Sequence, residues 1–587
     1  MVKQLMKSIR EFKLATILTP TFVIGEVIIE ALIPFLISLL INDIKAGCDL
    51  SVILEYAWKL VLLSLLSLLC GYLAGIYCAE ASTGFARNLR YDIFSNIQKF
   101  SFSNIDKFSS ASLVTRLTTD IQNVQMAFMM IIRTAVRAPL NLIFSFTMAY
   151  IMGGSMAVIF LIIIPFLGIG LYLIVRTVMP VFKKGFPLFD KITRIVEENV
   201  KGIRVVKSFV REDYEINKFD ETSNDIRKMF TRAEQIIALN NPLMQISIYA
   251  VMLFVLMFGS EMIIKTNGTS LDVGQLSTLM TYGFQIMVSL MMLSMVFVMI
   301  TFSEESCKRI IEVLNEKSSI TSKENAITEV KDGSIDFDHV RFKYSPTAER
   351  PVLENIDVHI KSGETIGIIG GTGSAKSSFV QLIPRLYDVT EGTVRVGKED
   401  VRDYDLVTLR DSVAMVLQKN VLFSGTIADN IRWGNKDATL EEVKHVCHLA
   451  CADEFIEQMP DGYDTWIEQG GTNVSGGQKQ RLCIARALLK QPKILIMDDS
   501  TSAVDTKTDA IIRKAMKEYI PETTKIIIAQ RTSSVEDADR IIVLDGGKID
   551  AIGTSEELLQ TNQIYREVYL SQNKQGTEEI VEEGGVR

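Results

Sequence analysis

The residues best placed to do chemistry lie in the run Gly370-Gly-Thr372-Gly373-Ser374-Ala375-Lys376-Ser377-Ser378, directly after the apolar segment Thr365-Ile366-Gly367-Ile368-Ile369. A strand that feeds a glycine-rich loop and then a helix makes a phosphate cradle. Backbone N–H groups wrap the phosphates, Lys376 reaches toward the β- and γ-phosphates, and Ser377 offers its hydroxyl to Mg²⁺. The positive N-terminus of a helix starting near Lys376 adds a favourable field. One position departs from the pattern G-x-x-x-x-G-K-[ST], because Ala375 stands where glycine is required. Its methyl would crowd a tight turn and cost about 1–2 kcal/mol if the backbone there has positive φ. Taken alone, the loop also fits an ordinary strand-to-helix turn.

A second element favours the phosphate reading. Lys493-Ile-Leu-Ile-Met-Asp498 is an apolar run ending in a carboxylate, the pattern of a buried parallel strand, and it delivers Asp498 as a partner for Mg²⁺ or, more plainly, as a helix cap. Between loop and strand, Asn473-Val-Ser-Gly-Gly-Gln-Lys479 combines two glycines, which let backbone amides approach a phosphate, with the hydroxyl of Ser475.

These elements together resemble the ATP-binding cassette transporters, in family order from Ser334 to about Ser571. The resemblance implies an α/β P-loop NTPase domain joined to an α-helical membrane domain of six transmembrane helices, with ATP and Mg²⁺ as cofactors. It implies that Tyr344 stacks on adenine and that Gln418 touches Mg²⁺ together with Ser377 and Asp498. Ser475, Gly476, Gly477 and Gln478 resemble the signature that closes on a nucleotide held by the opposite subunit. Ser502-Ala-Val-Asp505 resembles the loop that crosses between subunits.

Two residues depart from the family at the positions that matter for hydrolysis. Asp499 stands where glutamate is usual, and Gln530 where histidine is usual. Asp499 is one methylene short, which withdraws its carboxylate by roughly 1.5 Å, and ångström-scale misplacement of a group that orients water can cost about 100-fold. Gln530 can donate a hydrogen bond but carries neither a proton nor a positive charge, so transition-state charge there is less well stabilised. The signature, in contrast, is altered only at Val474, where leucine is usual. In the family, each composite site takes its phosphate loop from one chain and its signature from the other. The combination therefore resembles the degenerate-site subunit of heterodimeric bacterial multidrug exporters. It implies a partner half-transporter with intact glutamate and histidine.

The first half of the chain supplies the membrane. The 587 residues are 48% apolar, too greasy for an ordinary soluble enzyme, and a net charge of −8 fits no nucleic-acid role. Six apolar stretches can be drawn at about 14–41, 58–78, 138–153, 156–178, 241–264 and 276–300. The third is short and extends through 127–132 toward Arg133 and Arg137 at the interface. Lys3, Lys7, Arg10 and Lys13, with the Lys- and Arg-rich connections 79–137 and 179–240, place both termini and the ATP-binding half in the cytoplasm, in a multi-pass protein of the cytoplasmic membrane. The first stretch is too long for a signal peptide and should remain as a span. The domain boundaries read 1–315 for the membrane domain, 316–333 for a polar linker, 334–571 for the nucleotide-binding domain and 572–587 for a polar tail, linker and tail both being mobile. The two long connections continue as helices and, by the resemblance, carry transverse docking helices near 103–112 and 206–215, the second meeting the partner.

Within the spans, Glu26 and Glu30 share a helical face at membrane depth, where carboxylates are costly enough to suggest contact with a cationic substrate or a proton. Pro20 and Pro34 break that helix locally. Asn141, Gln245 and Gln285 need polar partners away from lipid. Met280, Met287, Met291, Met292, Met295 and Met299 suit a surface for varied greasy ligands, although many must face lipid or helices. His445, Cys447, His448 and Cys451 cluster on one helix without a convincing metal pattern, the seven cysteines do not suggest disulfides, and Asn267-Gly-Thr269 is a sequon of little weight. The function expected is ATP-driven export of small amphipathic compounds, drugs or membrane lipids. An importer, a dedicated peptide or lipid carrier, and a nucleotide-gated regulatory protein remain alternatives.

Overall fold

The computed structural model describes residues 2–345, 347–500 and 504–582. The chain divides into two compact units, one of residues 1–99 and 109–316, the other of residues 100–108 and 317–587.

The first unit is helical. Its main elements are α1 (Lys13–Ala46), α2 (Leu50–Ile97), then α4 (Ile121–Ile132), α5 (Thr134–Gly153), α6 (Val158–Lys201), α7 (Ile203–Ser208), α8 (Glu212–Ala238), α9 (Asn240–Thr266) and α10 (Val273–Asn315), while the short α3 (Phe102–Phe108) belongs to the second unit. Among the described residues, five helical stretches are long and apolar enough to cross a membrane. The six apolar segments of the sequence are carried on these five because the third and fourth share one stretch of 72 residues, Ser110–Val181. That stretch is not one rod. Gly154, at φ +50°, reverses the chain between α5 and α6. On α5, Gly153 lies against Leu279 and Ser145 bonds Gln285, so α5 runs antiparallel to α10. On α6, Phe160 lies beside Gly283 and Tyr172 lines one cleft with Phe297, so α6 runs parallel to it. At 1.5 Å per residue the 48 residues of α2 span about 70 Å, more than twice the roughly 30 Å of bilayer hydrocarbon, so its charged end projects well beyond the lipid.

Pro20 and Pro34 do not interrupt α1, which runs unbroken through both. On the Pro34 turn, hydroxyls from α10 bond two carbonyls of the helix: Tyr282 donates to that of Ala31 at 2.7 Å and Thr278 to that of Pro34 at 3.0 Å. Two short helices lie at the positions expected for docking helices, with bounds that differ from expectation. The first is α3, Phe102–Phe108, ended by Ser109 at φ +57°. The second is α7, Ile203–Ser208, ended by Val210 at φ +51° before α8 begins at Glu212.

The second unit is α/β. An antiparallel sheet combines β1 (Ile335–Phe342), β2 (Leu353–Ile360), β4 (Glu391–Val396) and β5 (Glu399–Asp400) in the order β2-β1-β4-β5. A six-stranded sheet combines β3 (Thr365–Gly370), β6 (Val413–Val416), β7 (Ile494–Asp498), β8 (Thr524–Ile528), β9 (Arg540–Asp545) and β10 (Lys548–Gly553) in the order β10-β9-β3-β8-β7-β6, parallel except for β10. Every residue of β7 and β8 is buried; the apolar run of β7 fits a parallel sheet, and in β8 the buried Lys525 ammonium donates to the carbonyls of Ile520 and Thr523 at 2.8 and 2.9 Å.

The segment expected as a mobile linker packs onto this unit. Val330 is in its core, and Ile327 bridges backbone to backbone with Asp403 and Asp405. The boundary expected at residue 572 falls inside a helix, Gln563–Glu582.

Candidate nucleotide-binding site

The sheet order brings the candidate residues together. Strand β8 lies between β3 and β7, with Ile528 paired to Ile368 on one side and to Asp498 on the other. The loop after β3, the Asp498–Asp499 corner after β7 and Gln530 after β8 therefore emerge at the same carboxyl edge, the edge where open parallel sheets place ligands.

The loop from Gly370 to Ser378 has the geometry of a cradle. A side chain at Gly370 would come within 2.2 Å of the Leu544 carbonyl oxygen, so only glycine fits there. Gly373 has φ +84° and Ala375 has φ +71°, the left-handed region. The alanine thus sits in the conformation that penalises a methyl. The Lys376 ammonium folds back onto the carbonyls of Gly370 and Gly371, at 2.8 and 2.9 Å, and onto Ser374 Oγ at 3.3 Å. Burial lowers its pKa, against the opposing pull of Asp498 and Asp499. Thr372 is exposed, Ser374 and Ser378 are buried, and Ser377 opens α11 (Lys376–Gln381) behind Lys376. Substituting Ala375→Gly should relieve about 1–2 kcal/mol of backbone strain, offset by about 0.4–1 kcal/mol of added unfolded-state entropy. The expected net gain of about 0.5–1 kcal/mol is readable in thermal unfolding without nucleotide.

Asp498 is buried and bonded by the Ser377 hydroxyl; burial is the larger influence and raises its pKa above the ordinary carboxylate range. Ser377, Asp498 and the side-chain carbonyl of Gln418 make an all-oxygen donor set, which suits Mg²⁺. Asp499 has φ +49° and its N–H donates to the Ile528 carbonyl at 3.0 Å. Its Oδ2 accepts from Gln530 Nε2 at 2.7 Å and from Gln418 Nε2 at 3.4 Å. The two residues that depart from the family at the hydrolytic positions are thus bonded to each other. Gln572, assigned to the polar tail, holds the Gln530 loop in place. Its side-chain oxygen accepts from the N–H and hydroxyl of Thr532 at 2.9 and 3.0 Å, and its amide donates to the Gln530 carbonyl at 2.8 Å. Nothing in the local sequence marks Gln572.

Tyr344 is 44% exposed beside this loop, its hydroxyl sharing a bond with Ser378 Oγ at 2.8 Å and donating to Gln381 Oε1 at 3.2 Å. The signature-like run starts a separate helix, α12 (Gly476–Leu489), where Ser475 caps the N–H of Gln478 and the Gln478 side chain returns to Ser475 N. Gly476 and Gly477 form its first turn, with N–H groups available to an anion. Val474 and α12 belong to a different hydrophobic cluster from the one that Ala375 packs against. Asp505 caps the following helix through Thr508 N at 2.9 Å, and Ser502 lies outside the described residues.

In the helical unit, Glu26 and Glu30 are both committed to Arg137. One guanidinium nitrogen donates to Glu26 Oε1 at 3.0 Å and the other to both oxygens of Glu30, at 2.7 and 3.0 Å. Arg137 is thus not a simple interfacial cation. Charge balance at membrane depth was the sequence signal that could have paired it. Replacing Arg137 by alanine leaves two carboxylates facing each other. Breaking a buried ion pair from one side costs about 3–5 kcal/mol, and partial exposure of Arg137 and Glu30 puts the expected loss near the lower end. Detergent-phase thermal unfolding should show this loss, and Glu26→Gln with Glu30→Gln should recover most of it. Ser145 joins two expected interior groups, its Oγ lying 2.9 Å from the Gln285 side-chain amide and 3.2 Å from that of Asn141. Gln245 is instead exposed, because the buried face of α9 is set by Ser247, Val251, Val255 and Gly259. Of the methionines on α10, Met287 is core and Met295 is 62% exposed. No cluster of metal-ligating side chains occurs among the described residues.

Two families match the chain: the ABC transporter transmembrane region over residues 16–303 and the ABC transporter family over residues 353–502. An uncharacterized ABC transporter ATP-binding protein of Bacillus subtilis, YfiB, is 34% identical over 554 residues, covering 94% of this chain and 96% of the relative. The chain belongs to the ABC transporters. An ATP-dependent lipid A-core flippase of Desulfotalea psychrophila is 31% identical over 504 residues, covering 85% of this transporter and 87% of the flippase. The solved structure of a bacterial Atm1-family ABC exporter with ATP bound superposes with a TM-score of 0.82 at 24% identity, over 96% of this chain and 98% of that one. The transporter is therefore a half-transporter with the ABC exporter fold, a helical membrane domain joined to a nucleotide-binding domain of the ATP-hydrolysing class.

Proposed function

We propose that this half-transporter is the degenerate-site subunit of a heterodimeric exporter of amphipathic or hydrophobic compounds in the cytoplasmic membrane, with its nucleotide-binding domain and both termini in the cytoplasm. The observation that carries the reading is the Asp499–Gln530 hydrogen bond at 2.7 Å. A short carboxylate already engaged by an amide is poorly available to orient water, and its amide partner can accept no proton from the reaction. The phosphate loop, Lys376, Tyr344 and the oxygen donors Ser377, Gln418 and Asp498 supply what tight binding of ATP with Mg²⁺ requires. This chain then contributes a binding half to one composite site and, through Ser475, Gly476, Gly477 and Gln478, a sound half to the other. Hydrolysis falls mainly to the site built on the partner's phosphate loop.

The exposed apolar tip formed by Val205, Phe209 and Val210 suits docking on the partner's nucleotide-binding domain. An apolar cleft between α6 and α10, lined by Leu171, Tyr172, Leu290 and Phe297, suits greasy cargo. The similarity to a lipid A-core flippase keeps membrane lipid among the candidate substrates. Vesicles of both orientations from cells expressing the chain with its partner test the direction of transport. ATP-dependent accumulation of a lipophilic fluorescent amphiphile in inside-out vesicles is expected. Accumulation only in right-side-out vesicles loaded with ATP would make the protein an importer.

A further inference from the structure

The nucleotide-binding residues leave an adjoining aromatic cluster without a role. At its centre is Tyr387, whose ring lies 5.0 Å from that of Tyr344 at an interplanar angle of 88°, 5.7 Å from Phe342 and 6.0 Å from Phe102. Its hydroxyl donates to Asp106 Oδ2 at 2.9 Å. Phe102 and Asp106 are four residues apart on α3 and so share one face of that helix. Tyr387 therefore touches the candidate adenine-stacking residue on one side and α3 on the other.

The position of α3 in the chain gives this contact its meaning. Residues 100–108 are part of the α/β unit, although the chain on both sides of them belongs to the helical unit. The segment is held there by Asn104 Nδ2 donating to the Lys317 carbonyl at 3.1 Å and by Ser101 Oγ with Ser319 Oγ at 2.6 Å. Tyr387 is its aromatic attachment. Burial, reinforced by Asp106, raises the pKa of the Tyr387 hydroxyl, which keeps it protonated as the donor in this bond.

We propose that Tyr387 is a positioning residue that transmits occupancy of the purine face of Tyr344 to α3, so that a site which binds nucleotide without hydrolysing it still reports to the membrane domain. The proposal rests on the nucleotide-binding reading above. A base stacked on Tyr344 restricts that ring, whose hydroxyl is already fixed by Ser378 and Gln381. A ring standing perpendicular to it cannot keep its tilt independently, and its hydroxyl carries the adjustment to Asp106 and hence to α3. In this arrangement the reporting group is the purine and not the phosphates, and the path does not pass through Asp499 or Gln530.

Hydrogen–deuterium exchange of the peptide spanning residues 99–110, in the full-length chain in nanodiscs, tests the proposal. Three conditions are compared: no ligand, ATP with Mg²⁺, and tripolyphosphate with Mg²⁺, which fills a phosphate cradle without offering a base. ATP should slow exchange of that peptide by about tenfold in the wild type, and tripolyphosphate should not. Tyr387→Leu should abolish the response while leaving the ATP Kd within about threefold, as expected for a group that does not touch the ligand. Tyr387→Phe and Asp106→Asn should weaken the response with the fold intact, and they carry the test if the leucine variant does not fold. An equal response to tripolyphosphate, or a full response in the Tyr387→Phe and Asp106→Asn proteins, would overturn the proposal. ATP binding is read on the same samples. Binding without any change at 99–110 sinks the relay alone, whereas no binding in the wild type sinks the nucleotide reading beneath it.

Discussion

Replacing Asp499 by glutamate and Gln530 by histidine together should raise the ATP turnover of the purified chain by about 100-fold, the scale set by moving a water-orienting carboxylate through one methylene. The double change also removes the Gln530 Nε2 to Asp499 Oδ2 bond, which now occupies both positions at once. The single changes should give much less. Asp499→Glu alone places a longer carboxylate opposite an amide that still claims it, and Gln530→His alone supplies a group for transition-state charge but no base. Catalytic residues that act as a unit are strongly non-additive, and that is the pattern to look for. The measurement is steady-state phosphate release per chain, for wild type, both singles and the double. A double variant no faster than wild type would place the defect elsewhere, with Ala375 the next residue to change.

The second large effect concerns the signature. In the proposed heterodimer, Ser475→Ala in this chain should lower hydrolysis by about 100-fold, because it would remove a hydroxyl donor to the nucleotide in the partner's site, where loss of one preorganised donor costs about 10²–10³. It also removes the cap of α12, worth about 1 kcal/mol. The same change at the equivalent serine of the partner should leave most of the activity, because that serine closes the site built on Asp499 and Gln530. Phosphate release from the two singly altered heterodimers reads this asymmetry directly. Equal losses from the two changes would mean that both composite sites turn over.

Much of this architecture was legible from residue pattern. The run Ile494 to Asp498 could be recognised as a buried strand because nothing but apolar residues precedes its carboxylate, and β7 is buried throughout. The strain at Ala375 was legible in kind, since only its φ was missing, and that φ is +71°. The reversal at Gly154 left its trace as two apolar stretches parted by Gly154 and Ser155.

What stayed hidden depends on contacts between distant residues. Arg137 lies 107 and 111 residues from the carboxylates it binds, and hydropathy alone assigned it to the interface. The prolines of α1 suggested breaks, yet the helix runs through both, and its Pro34 turn is held by Tyr282 and Thr278 from 251 and 244 residues along the chain. The polar segments about 316–333 and beyond 572 suggested mobility by composition, yet one carries Val330 into the core and the other carries Gln572 to the Gln530 loop. Polarity reports what a segment can leave in water, not whether a backbone bridge or a three-bond side chain fixes it. The Asp499–Gln530 bond belongs to the same class, since each residue could be singled out by type but their mutual engagement required the pairing of β7 with β8.

The most direct test is to incubate the purified full-length chain, without partner, with radiolabelled ATP and Mg²⁺ and to identify the nucleotide it retains. Stoichiometric retention of intact ATP with negligible release of phosphate is expected. Retention of ADP with sustained phosphate release by the lone chain would contradict it.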